Sequence, residues 1–161
     1  MVEKVTSATI SGLEGYRIDV EVDTINSIPQ TIIVGLPDAS VSEAKERIKL
    51  AIKNSGFSFP NTKVVINLAP ADLKKEGTGL DLGMAVGILL KEKEIKNNVK
   101  DIAFLGELSL DGAIRPINGI LPIVCALAEL NIKKVILPFE NLTEASFAEN
   151  IDRSATRSCR F

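Results

Sequence analysis

The stretch "YRIDVEVDT" constrains this chain more than any other. Tyr16, Ile18, Val20 and Val22 alternate strictly with Arg17, Asp19, Glu21 and Asp23. Side chains of a strand point to opposite faces in turn, so this pattern predicts a strand with one face in a core and the other in water. A lone strand has no partner for its backbone groups. The preceding "KVTSATISGL" supplies an antiparallel neighbour, with Glu14-Gly15 expected as the turn between the two. "QTIIVGL", ending the run at Gly35-Leu36, predicts a third strand, apolar enough to be more fully buried.

Helices follow. In "PDASVSEAKERIKLAIKNSGF" the residues Val41, Ala44, Ile48 and Ile52 form one stripe, while Lys45, Glu46, Lys49 and Lys53 face away. Ser40 with Glu43 matches a capping box, and Gly56 is placed to stop the helix in a left-handed conformation. Downstream, "TKVVINLA" and "KKVILP" read as strands and "DLGMAVGILLKE" as a short buried helix. "IAFLGELSLDGAIRPI" reads as strands bent around an Asp111-Gly112 turn. "GILPIVCALAEL" is apolar nearly all round and is expected to be a buried helix, and "NLTEASFAE" a short final one. Strands come first, then helices alternate with strands. That order predicts an α/β (α+β) fold, a mixed sheet with helices packed against it. The end, "DRSATRSCRF", crowds Arg153, Arg157 and Arg160 together without an apolar period. It is expected to be disordered or foreign to the fold, which divides the chain into residues 1–150 and a tail, 151–161.

Composition removes several chemistries. Histidine is absent, which excludes Ser-His-Asp and Cys-His catalysis and His-ligated metals. The two cysteines, Cys125 and Cys159, have no zinc-binding spacing, so no metal site is expected, and Cys125 reads as a small core residue. A net charge of −2 gives no basic field for a phosphate backbone. No apolar run is long enough to span a bilayer and no signal peptide is visible, so a cytoplasmic location with no membrane partner is expected.

The stretch "NLAPADLKKEGTGLDLGMAVGILL" carries the candidate site: a strand, a charged glycine-rich turn, then a helix. The glycines at 77, 79 and 83 do not match a dinucleotide fingerprint, and the chain holds no P-loop. Asp72, Glu76 and Asp81 could form an acid–base group, but beside Lys74 and Lys75 they read more simply as a solvated, partly paired turn. Asp81 is placed to cap the helix that follows. Lys75 is expected to be exposed, with an ordinary amine.

"NLAPADLKKEGTGLDLGMA" resembles a signature of the ComM/YifB family, the magnesium-chelatase-like AAA+ ATPases. "IIVGLPDASVSEAKERIKLAI", "FLGELSLDGAIRPINGILPI" and "VILPFENLTEA" are similar to three further blocks of that family. The same blocks are more distantly similar to the proteolytic domain of Lon and the C-terminal domain of RadA, which implies a Lon-type mixed sheet flanked by helices. In longer members the domain precedes an AAA+ module, which is where ATP and Mg are expected; no cofactor is expected here. The resemblance also locates Lon's catalytic dyad. The serine position falls on Gly79, and the lysine run falls on Leu121 and Ile123. Glycine offers no nucleophile, and leucine and isoleucine offer no base, so the dyad is lost. Thr78 is the remaining hydroxyl beside that position, and a degenerate peptidase built on it is one alternative. A RadA-like DNA-binding surface built from Lys74, Lys75 and Arg115 is the other. The leading expectation is a non-catalytic accessory domain, with its own AAA+ module, neighbouring subunits of a ring and DNA as partners.

Overall fold

The computed structural model describes residues 1–158; Cys159, Arg160 and Phe161 of the arginine-rich end lie outside them. Strands β1 (Glu3–Ser11) and β2 (Glu14–Ile25) form the antiparallel hairpin at the centre. Their turn is Gly12-Leu13 rather than Glu14-Gly15, because Ser11 pairs directly with Glu14 and Ile10 with Gly15. Gly12, with φ near 64°, supplies the left-handed residue the tight turn needs. The alternation in β2 sorts as expected: Ile18, Val20 and Val22 are fully buried, and only Tyr16, near the strand's start, stays partly exposed.

β3 (Gln30–Val34), β4 (Lys63–Ala69), β5 (Ile102–Phe104), β8 (Lys134–Pro138) and β9 (Asp152–Thr156) complete a seven-stranded sheet in the order β3-β4-β2-β1-β5-β8-β9. Among these β2 alone runs against the rest, so the sheet is mixed. Glu107–Leu108 (β6) and Ile114–Arg115 (β7) form a separate small hairpin around Asp111-Gly112. Two expectations fail at the sheet's edges. β3 is an edge strand and only half-buried, because its apolar run has a neighbour on one side only. The expected disordered tail is also wrong over Asp152–Thr156, which pairs in parallel with β8. The Arg153 guanidinium donates to the Ala148 carbonyl, and the Arg157 guanidinium lies 3.9 Å from the Phe139 ring centroid. Backbone pairing and these contacts hold a segment that lacks apolar periodicity.

Helix α1 (Ala39–Asn54) and helix α2 (Asp81–Lys91) cover one face, burying Val41, Ile48, Leu82, Met84 and Ile88 with Val5, Ile18, Val20 and Val22 of the sheet. Helix α3 (Ile120–Glu129) and the short α4 (Leu142–Ala145) cover the other face over Ala8, Ala103, Leu105, Val135 and Leu137. Alternation along β5 and β8 assigns neighbouring residues to the two cores. α1 is capped by Asp38, whose carboxylate accepts the Val41 N–H at 2.8 Å, rather than by Ser40. Gly56 follows the helix with φ near 89°, as expected. α2 lies close on the hairpin because Gly87 leaves space: a Cβ there would stand 2.6 Å from Val22 Cγ2. α3 is less enclosed than its composition implied. Ile120, Ile123, Val124 and Leu127 are buried, while Leu121, Cys125 and Ala128 pack only at the margin.

Candidate functional site

The strand–turn–helix segment is not a free solvated loop. After β4 the chain passes through Pro70 to Lys75, whose backbone N–H donates to Leu36 O at 3.0 Å while its carbonyl accepts from Asp38 N–H at 2.9 Å. Asp38 adds a second tie, its other carboxylate oxygen accepting the Gly77 N–H at 3.2 Å. The segments around 36–38 and 75–77 are thus zipped together, and one carboxylate serves both the turn and the start of α1.

Lys75 itself overturns its expectation. It is fully enclosed, and its ammonium donates to the Pro70 carbonyl. Burial pushes its pKa below the ordinary 10.5, opposed by the charge of Asp72. The alternation of charges in "ADLKKEG" gave no sign of this, since burial of one lysine and exposure of its neighbour depends on where the backbone turns. Lys74 does remain exposed, 3.4 Å from the Glu76 carboxylate, and Asp72 is exposed too.

Asp81 is also misread by local sequence. It starts α2 but makes no side-chain cap: the cap position is Leu80, and the Asp81 carboxylate is committed to other donors. The carboxylate is buried and instead receives Arg47, with Nε at 2.8 Å from Oδ2 and Nη2 at 3.1 Å from Oδ1. It also accepts the Leu108 N–H at 3.1 Å. Burial raises the Asp81 pKa while Arg47 pulls it back, and the same hydrogen bonds raise the pKa of Arg47. The pair joins α1, α2 and the β6–β7 hairpin. Nothing local in the sequence links residues 34 positions apart.

Between the end of β1, the Glu76–Gly79 turn and the loop before α3 lies a cleft of about 370 Å³. Gly79 and Ile123 both line it, so the turn and α3 meet at one cavity; these are the expected serine position and one of the two expected lysine-run positions. Leu121, the other lysine-run position, lies away from this lining and packs towards the α3–α4 core. Gly79 leaves little room, since a Cβ there would stand 3.1 Å from Ile117 Cδ1. Ile117 is in turn fixed by Asn141, which bonds both its N–H and its carbonyl at 2.9 Å.

Thr78 also faces the cleft, but its hydroxyl donates to Glu107 Oε2 at 2.6 Å. Glu107 lies 4.0 Å from Arg115. The lysines next to Thr78 in sequence are occupied elsewhere, Lys75 on Pro70 and Lys74 on Glu76. Arg115 and Lys74 are solvent-facing, so of the three residues expected to form a basic surface Lys75 drops out. Sequence reasoning missed Asp38, Arg47 and Asn141. A carboxylate three residues before the first buried helical position was the available signal for Asp38. Among the described residues, no cluster of acidic, Cys or His side chains is arranged to hold a metal ion.

The family model "Subunit ChlI of Mg-chelatase" matches residues 20–141. The chain belongs to this magnesium-chelatase-like family. It is 35% identical to competence protein ComM of Haemophilus influenzae over 147 residues, 91% of this chain and 29% of that protein. It is 41% identical to the uncharacterized protein YifB of Escherichia coli over 109 residues, 67% of this chain and 22% of YifB. Lon protease 2 of Bacillus subtilis is 30% identical over 96 residues, 60% of this chain and 17% of the protease. The chain therefore spans less than a third of the length of these relatives. No helix among the described residues is long and apolar enough to cross a membrane.

Proposed function

We propose that this chain is a non-catalytic accessory domain of a ComM/YifB-like AAA+ ATPase, acting in the cytoplasm. In this reading the domain helps subunits pack into a ring or engage a partner. ATP and Mg are bound by a separate AAA+ module, and the whole protein serves DNA recombination through ATP-driven branch migration. The observation that supports it is the cleft. The resemblance to Lon puts the serine position at Gly79 and the lysine run at Leu121 and Ile123; Gly79 and Ile123 line this cleft without a hydroxyl or an amine, and the Thr78 hydroxyl is engaged by Glu107. A nucleophile needs a base within hydrogen-bond reach, and the adjacent amines are turned to other acceptors.

The test uses the full-length protein with and without this domain. Loss of ring assembly or branch migration, with ATP hydrolysis by the remaining module retained, supports the accessory role. Unchanged assembly and branch migration without the domain overturn it.

A further inference from the structure

β3 closes one side of the sheet, and among the described residues no strand pairs with its outer edge. Such an edge presents a row of unpaired backbone N–H and C=O groups. Pro29 and Pro37 bracket it, and neither can donate an N–H, so the open stretch is confined to Gln30–Val34. Beside it lies a groove of about 320 Å³ between the start of β3, the flank of α1 and the segment 59–62. Lys45, Lys49 and Lys53 line this groove, one every fourth residue along α1. All three are exposed, and none forms an ion pair among the described residues. Among the described residues that line the groove, Glu46 is the one carboxylate.

β3, α1 and β4 form a crossover between parallel neighbours, so α1 runs back along the strand direction. Four helical residues rise about 6 Å, and two strand residues rise about 6.6 Å. Neighbouring lysines and alternate residues of a strand laid along β3 are therefore spaced alike, and the groove brings the row to the Gln30–Thr31 end of the edge. A peptide with an acid at every second position would set a carboxylate near each ammonium while its backbone pairs with the open edge. A nucleic acid would use the lysines but has no use for the free backbone groups, and the chain's net charge of −2 gives it no wider field.

We propose that the β3 edge and the Lys45–Lys49–Lys53 row form a docking site for an extended acidic peptide segment, added to the sheet as a further strand. The site shares no lining residue with the cleft, so its failure would leave the accessory-domain reading standing. The probe is a fluorescein-labelled peptide of alternating Glu and Thr, titrated against the whole chain by anisotropy. Amide hydrogen exchange is followed over residues 30–34. Saturable binding is expected, weakening with salt and falling at least about tenfold in Lys45→Glu/Lys49→Glu. Slower exchange within 30–34 is expected on binding, and a peptide with proline at alternate positions should bind at least about tenfold more weakly. This proline arm keeps the test meaningful if the charge reversal perturbs α1. Absence of binding overturns the proposal, as does equal binding of the proline peptide. Tighter binding of oligo-dT than of the peptide, lost in the same lysine variant, would overturn it and assign the row to nucleic acid.

Discussion

Asp81→Ala tests the physical account of the turn most sharply. The substitution removes both Arg47 hydrogen bonds and the acceptor for Leu108 N–H. Asp81 is fully buried, and the Arg47 side chain is 19% exposed, so the stranded guanidinium is only partly rehydrated. Breaking one side of a buried pair costs about 3–5 kcal/mol. Arg47 keeps the Ser40 carbonyl at 2.8 Å, which favours the lower end of that range. About 3 kcal/mol lowers Tm by roughly 6–12 °C at this chain length. Urea unfolding at neutral pH reads the difference directly. Pairing the change with Arg47→Met should recover part of the loss, because no unpaired charge then remains. A loss under about 1 kcal/mol, the value of a surface pair, would refute the claim that this bridge is buried and essential to the fold.

Three further outcomes follow from particular contacts. Lys75→Met should leave the fold intact and gain on the parent at neutral pH. Because the folded pKa of Lys75 is lowered, its charge opposes folding below that pKa, and the penalty is relieved as pH rises towards 10.5; stability curves for the two proteins should therefore converge in the alkaline range, and parallel curves would contradict this. Truncation after Asn150 removes β9 and the Arg153 and Arg157 contacts, so Tm should fall by several degrees; an unchanged Tm would show the pairing with β8 to be idle. Gly87→Ala puts a methyl group against Val22 and should cost about 1–3 kcal/mol, measured by denaturant unfolding, with no loss expected only if α2 can lift from the hairpin.

The sheet's centre was legible because alternation in β2 and the stripe in α1 each have a single physical solution. Edges were less so. Composition gave no sign of β9, since its stability comes from backbone pairing with β8 and from two arginines that find carbonyls and a ring. Of the three positions named by resemblance, Gly79 and Ile123 line one cavity and Leu121 does not, a juxtaposition that no local pattern in the sequence shows. The charged turn was misread in two of its residues. Lys75 looked solvated and Asp81 looked like a cap, because charge and position are local facts, whereas burial depends on segments distant in the chain, such as Arg47 and Leu108 around Asp81. Asp38, two residues earlier than the expected cap, holds both the helix start and the turn.

Cleavage of fluorescein-labelled casein by the purified chain, parent against Thr78→Val, tests the non-catalytic reading most directly. With a glycine, Gly79, lining the cleft beside Thr78 and the Thr78 hydroxyl bonded to Glu107, release of labelled peptide should not exceed the buffer control in either protein. Turnover by the parent that disappears in Thr78→Val, with Tm unchanged, would contradict it and make the cleft a peptidase site.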